Sequence, residues 1–323
     1  MLSAAIYYWS RTMKIIKKYA LAFVFLAAIP LAFGCPKTRV NSDTPEHIGA
    51  AENDNWTEIS AKRDLENEID IKLDDKFPIG EDENKKVYIR ILAYHHVIDD
   101  NSPLIEDKRY KPYRTKKGDF RKQLEFLKEN YKIVSTFEEG LTFSDSEECV
   151  MLTFDDGWEN VYQNAFPLLK EFGIKGVFFI ITDRLGKDGY MTEEQVKEMA
   201  EAGMNIGSHS CKHLDYNLCE IEKLKLDLRE SREKLSAITG KDIKYFCYPG
   251  GAYRQESKVE TVKAGYTAAF AYRFDLGKPG FDREAIPRIA IYESDADDVF
   301  KDKINDDLGR LEITKTSLGI RTP

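Results

Sequence analysis

Cysteine and histidine are both scarce, five of each in 323 residues. So few cysteines exclude a disulfide scaffold, and their odd number leaves at least one without an internal partner. The chain has no apolar run of the roughly 20 residues that a membrane-spanning helix needs, which excludes a multi-span membrane protein. Basic residues are outnumbered, 48 Lys and Arg against 56 Asp and Glu, and a net charge of -8 argues against nucleic acid as the main partner. No internal repeat stands out. What is present, 42% hydrophobic and 32% charged residues, is the composition of a folded soluble protein, neither collagen-like nor disordered throughout. A chain of this length can bury a sizeable core without staples.

Charge is unevenly spread. Residues 1–40 carry six bases (Arg11, Lys14, Lys17, Lys18, Lys37, Arg39) and no acid, whereas residues 41–86 carry fourteen acids against six bases. Lys14, Lys17 and Lys18 precede an apolar run of about 15 residues that ends at Gly34, the length of a signal-peptide core. Met13 is an alternative start. Leu31-Ala32-Phe33-Gly34-Cys35 resembles a bacterial lipoprotein cleavage site, with Phe33 where a small residue is usual, so Cys35 would become a lipidated amino terminus. An ordinary cleaved signal and an uncleaved anchor are the alternatives, and each version exports the rest of the chain. Residues 36–85, with Asn41-Ser42-Asp43-Thr44-Pro45 and Gly80-Glu81-Asp82-Glu83-Asn84, read as a solvated acidic spacer that contains His47. The expected organisation is a signal segment (1–35), a spacer (36–85) and one domain (86–323).

From Val87 onward short apolar runs alternate with helical stretches. The runs are Val87–Ala93, Tyr131–Ser135, Val150–Phe154, Gly176–Thr182, Met204–Ser208, Ile243–Tyr248, Thr267–Tyr272 and Ile286–Tyr292. The helices are expected at Phe120–Glu129, Glu159–Phe172, Thr192–Ala202, Cys219–Thr239, Glu256–Ala264 and Ala296–Leu308. The runs are almost unbroken, as parallel strands covered on both faces require. Seven or eight such repeats predict a barrel-like α/β fold.

Four motifs fall at carboxyl ends of these runs. Thr153-Phe154-Asp155-Asp156-Gly157 pairs two carboxylates that resist ionising together unless a cation relieves them; a plain turn is the alternative. In Gly207-Ser208-His209-Ser210-Cys211-Lys212-His213, two histidines at i and i+4 can converge on one ion, and Cys211 points off that face. Phe246-Cys247-Tyr248-Pro249-Gly250-Gly251 is a tight turn that could aim backbone N–H groups into a cleft. Tyr94-His95-His96 ends the first strand, where barrel geometry could turn it toward the same mouth or leave it solvated.

In this order and spacing, the motifs resemble the polysaccharide deacetylase family, carbohydrate esterase family 4 with the NodB-homology fold. The stretches ILAYHHV and FRKQLEFLKENYKIVSTFEE are similar to the branch acting on exported poly-N-acetylglucosamine. The resemblance covers residues 86–292. It implies a distorted (β/α) barrel of about seven parallel strands, a divalent metal, and hydrolysis of N-acetyl groups from a cell-surface glycan such as poly-N-acetylglucosamine, peptidoglycan or a chitin-like polymer. By motif it makes Asp155 the base, Asp156, His209 and His213 the ligands of Zn²⁺ (or Co²⁺, Ni²⁺ or Fe²⁺), and the Gly250 N–H an oxyanion donor. The family's usual carboxyl-terminal Leu-x-x-His acid is missing, since no histidine follows His213. His95 is the expected general acid, as in the exopolysaccharide branch, with His96 as the fallback. The family's orienting arginine is replaced by Cys247, for which Arg288 is the candidate substitute.

The expected product is therefore a metal-dependent N-deacetylase of the cell envelope, monomeric, tethered to the membrane through Cys35 or the signal segment. An O-acetyl esterase on xylan-like glycans would use the same chemistry. A non-haem iron oxygenase also uses two histidines and a carboxylate, but the paired Asp155 and Asp156 count against it. A surface carbohydrate-binding protein that has lost catalysis is the third reading, kept open by Cys247.

Overall fold

The structure, a computed structural model, describes residues 86–105, 107, 111–143, 147–272, 282–306 and 310–314. The signal segment, Cys35 and the acidic spacer lie outside the described residues. The chain enters on β1 (Val87–Tyr94), followed by the parallel pair β2 (His96–Ile98) and β3 (Arg114–Lys116). Helix α1 (Lys117–Asn130), β4 (Lys132–Val134) and the one-turn α2 (Phe137–Gly140) come next. Strand and helix then alternate through β5 (Glu148–Phe154), α3 (Phe166–Phe172), β6 (Val177–Ile180), α4 (Glu193–Glu201), β7 (Asn205–Ser208), α5 (Ile221–Thr239), β8 (Tyr245–Cys247), α6 (Gln255–Lys263) and β9 (Ala268–Tyr272). β10 (Ile286–Ala290), α7 (Asp297–Asn305) and β11 (Leu311–Ile313) complete the described chain.

Seven strands, β1, β5, β6, β7, β8, β9 and β10, form a closed parallel ring, the (β/α) barrel expected from the repeats. It closes where Leu92 and Ala93 of β1 pair with Ile289 and Ala290 of β10. The ring is uneven at its base. β11 runs antiparallel to Val87–Ile89, below β10, and β4 pairs with Cys149–Met151, below β6. The run at Tyr131–Ser135 is thus a flanking strand outside the ring, and β2, β3, α2 and β11 were not among the expected elements.

Alternation along each strand divides the core. Ile89, Ile91, Cys149, Met151, Val177, Phe179, Tyr245, Cys247, Ala268, Phe270 and Ile286 fill the barrel. Their neighbours Leu92, Tyr94, Val150, Leu152, Phe154, Phe178 and Phe246 face outward against helices, including Phe120, Leu124 and Leu127 of α1. Gly207 is required in β7, because a Cβ there would lie 2.7 Å from the Phe179 ring. The expected helix 159–172 is broken: a π-turn spans Val161–Ala165 before α3, since Pro167 has no N–H to continue the ladder. Among the described residues no helix is long and apolar enough to cross a membrane, and Cys149, Cys211, Cys219 and Cys247 are all free thiols.

Candidate metal centre

At the carboxyl ends of the strands the interior positions turn into polar side chains. Ala93 leads to His95, Thr153 to Asp155, Phe270 to Tyr272, and Ile286 to Arg288, each two residues on and on the same face. These four side chains meet in one cluster. Arg288 grips Asp155 with both arms, Nη1 at 2.7 Å from Oδ1 and Nη2 at 2.8 Å from Oδ2. The same guanidinium donates to Thr153 Oγ1 at 2.9 Å and lies 2.9 Å from Cys247 Sγ. Tyr272 donates its hydroxyl to Asp155 Oδ2 at 3.2 Å and meets His95 Nε2 at 2.7 Å. Asp155 and Arg288 are buried. Burial alone would push the Asp155 carboxyl up, but the paired guanidinium holds it down at about 2, so it is ionised at neutral pH.

Asp156 faces a second cluster. Its Oδ1 lies 3.5 Å from His209 Nε2 and 3.6 Å from His213 Nε2, and Trp158 donates its indole N–H to Oδ2 at 2.9 Å. Both imidazole distances are long for hydrogen bonds. They match the edge of a coordination tetrahedron, since donors about 2.1 Å from a shared ion stand about 3.4 Å apart. His209 Nδ1 donates to the Cys247 carbonyl at 2.8 Å, which turns Nε2 toward Asp156. Asp156, Ser210 and His213 all have left-handed backbones, with φ of 74°, 73° and 62°. Non-glycine residues held there are strained, and such strain gathers at functional sites. Ser210 Oγ supports the turn by accepting from the backbone N–H groups of Lys212, His213 and Leu214. Burial, with the neighbouring His209 adding to it, lowers the His213 pKa and favours the neutral, ligating form.

A second trio, Asp155, His209 and Cys247, is also compact enough to hold an ion. It fits poorly. The Arg288 guanidinium already fills the space between Asp155 and Cys247, and burial pushes the Cys247 thiol up, away from the thiolate that binds metals. The Asp156, His209 and His213 donor set fits a divalent ion.

The other motif residues are placed as follows. Gly250 sits in the turn Pro249–Gly251 with φ of 61°, exposed, and its N–H makes no backbone hydrogen bond among the described residues. Cys211 Sγ turns away to the Asp227 carbonyl. His96 is separated from His95: its Nδ1 meets the Asn160 amide at 3.0 Å and its ring lies against Trp158. Burial pulls its pKa down to about 4. The sign follows: an unfolded histidine takes up a proton below about 6.5, whereas folded His96 resists until about 4. His96 therefore costs the fold up to about 3 kcal/mol as pH falls through that window. We expect His96→Asn to lose less thermal stability than wild type between pH 7 and pH 4, measured by calorimetry.

Sequence reasoning missed Tyr272 and the roles of Trp158, Asn160 and Thr153 as hydrogen-bond partners. The one available signal for Tyr272 was its place at the carboxyl end of a strand run, where barrels put their chemistry.

Residues 144–269 match the family model described as polysaccharide deacetylase. YxkH of Bacillus subtilis (strain 168) is 32% identical over 187 residues, 56% of this chain and 63% of that protein. The poly-beta-1,6-N-acetyl-D-glucosamine N-deacetylase of Staphylococcus aureus (strain MRSA252) is 28% identical over 214 residues, 60% of this chain and 72% of that one. The chain thus spans less than two thirds of the first relative. Among solved structures, BC0361, a polysaccharide deacetylase from Bacillus cereus, superposes with a TM-score of 0.59 at 25% identity, over 68% of this chain and 70% of its own. With the seven-stranded barrel and the motif residues gathered at its mouth, these likenesses make the chain similar to polysaccharide deacetylases, with the family model itself matching residues 144–269.

Proposed function

We propose that the protein is a metal-dependent N-deacetylase of an exported polysaccharide, with poly-N-acetylglucosamine, peptidoglycan or a chitin-like glycan as the substrate class. The observation that carries this reading is the Asp156, His209 and His213 donor set standing beside a second, separately held carboxylate, Asp155. The Staphylococcus relative named above supports the choice of an N-acetylated glycan. Export, with a lipid on Cys35, rests on the sequence of residues 14–35.

A divalent ion held by Asp156, His209 and His213, zinc first among the candidates, would polarise the amide carbonyl and acidify water. The protein's own groups do the rest. Asp155 takes the proton of the attacking water. Arg288 keeps its plane fixed through the two-armed pair, in the place that Cys247 leaves empty of charge. The exposed Gly250 N–H is available to the oxygen on which charge develops. His95 gives a proton to the departing amine; His96, pinned by Asn160, is the weaker choice.

The test is acetate release from a soluble N-acetylglucosamine oligomer by the chain freed of residues 1–35. Chelator is expected to abolish release and added zinc or cobalt to restore it. His213→Ala should empty the metal site while changing stability by only about 0.5 kcal/mol, because this side chain is 42% exposed. Metal uptake without acetate release, from this oligomer and from O-acetylated xylan alike, would turn the reading toward a carbohydrate-binding protein.

A further inference from the structure

We propose that Tyr272 is a positioning residue that fixes the tautomer and direction of His95 by tying it to Asp155. This rests on the deacetylase reading above and assigns the atom of His95 that carries the proton.

A phenol has one proton to donate. Tyr272 Oη stands 3.2 Å from Asp155 Oδ2 and 2.7 Å from His95 Nε2. Asp155, ionised against Arg288, can only accept, so the phenol proton points to it. The phenol oxygen must then accept from His95, which places a hydrogen on Nε2. The two ring planes are almost parallel, 7° apart, and Tyr113 packs on His95 with its ring centre 4.8 Å away, so the imidazole is held at its Nε2 edge and against one face. His95 Nδ1 is buried and has no hydrogen-bond partner among the described residues. An orphaned ring nitrogen is costly, which marks it as a site that expects a partner absent from the free protein.

The leaving amine supplies that partner. His95 enters the step with hydrogens on both ring nitrogens. As the C–N bond breaks, its electron pair takes the proton from Nδ1, and the neutral imidazole remains in the Nε2–H form that Tyr272 stabilises. The arrangement follows the general logic of a carboxylate orienting a histidine, here relayed through a phenol.

Tyr272→Phe keeps the ring, including its stacking with the Arg288 guanidinium 5.1 Å from its centre, and removes only the oxygen. Two readouts test it on the zinc-loaded chain. In ¹⁵N-histidine NMR, with His95 assigned by the His95→Gln variant, wild type should show a single Nε2–H form and Tyr272→Phe a mixture. In kinetics, kcat on the N-acetylglucosamine oligomer should fall about 10- to 100-fold with KM unchanged. Hydrolysis of 4-nitrophenyl acetate, whose leaving group departs without a proton, should change by less than about threefold. Equal losses on both substrates, or a His95 tautomer indifferent to the substitution, would overturn the proposal. If wild type released acetate from neither substrate the deacetylase reading would fall, and the tautomer measurement would still decide the Tyr272 tie.

Discussion

Asp155→Asn is expected to lower acetate release by about 10³-fold, the contribution of a well-placed general base, while the chain still binds its metal through Asp156, His209 and His213. The change is isosteric but not innocuous. It removes the charge that Arg288 is built to meet, inside a site where both groups are buried. An unpaired buried charge costs about 3–5 kcal/mol, so metal content and thermal unfolding belong beside the kinetic measurement. Asp155→Glu separates the two effects: it retains the charge and displaces it, so activity should fall much further than stability. Full activity in either variant, with metal bound, would remove Asp155 from the mechanism.

Arg288→Met carries the other large effect. The same 3–5 kcal/mol is at stake, and for a domain of this size unfolding should shift by on the order of 10 °C. Arg288→Lys should recover only part of the loss, since an ammonium cannot span both oxygens of Asp155. A kinetic signature accompanies the thermal one. With the guanidinium present the Asp155 carboxyl stays at about 2 in spite of burial; without it, burial prevails and the pKa rises. The acid limb of kcat/KM should therefore move to higher pH in Arg288→Met. The linkage sign agrees. In wild type the depressed Asp155 pKa adds stability that is fully present above about pH 4 and is lost toward about pH 2. That stretch of the pH–stability curve should flatten in the variant. An acid limb that stays where it was would mean that Arg288 holds the fold and leaves the base alone.

The barrel and the motif residues at its mouth were legible because they are local. Apolar runs of strand length separated by helical spacing announce a parallel sheet covered on both faces. Asp155, Asp156, His209 and His213 sit next to strand ends in recognisable spacing. The pairing of Asp156 with the two histidines needs only the adjacency of β5, β6 and β7, which chain order suggests and the register delivers. Even the flanking role of β4 was hidden, because three residues of strand look alike whether they join a ring or sit beneath it.

Contacts between distant segments were not legible. An unbroken apolar run does not say which of its alternate residues point inward, so it could not show that His95, Asp155, Tyr272 and Arg288 share one face. Arg288 and Asp155 are 133 positions apart, and Tyr272 and His95 are 177 apart. Closure of β10 against β1 brings them together. Residue type and spacing pointed to the kind of fold, and the motifs' resemblance to a known family supplied the expected chemistry. The ring closure decided which arginine meets Asp155, which histidine is sequestered by Asn160, and which phenol joins His95 to Asp155, because those choices depend on the sidedness and stagger of strands that no local pattern encodes.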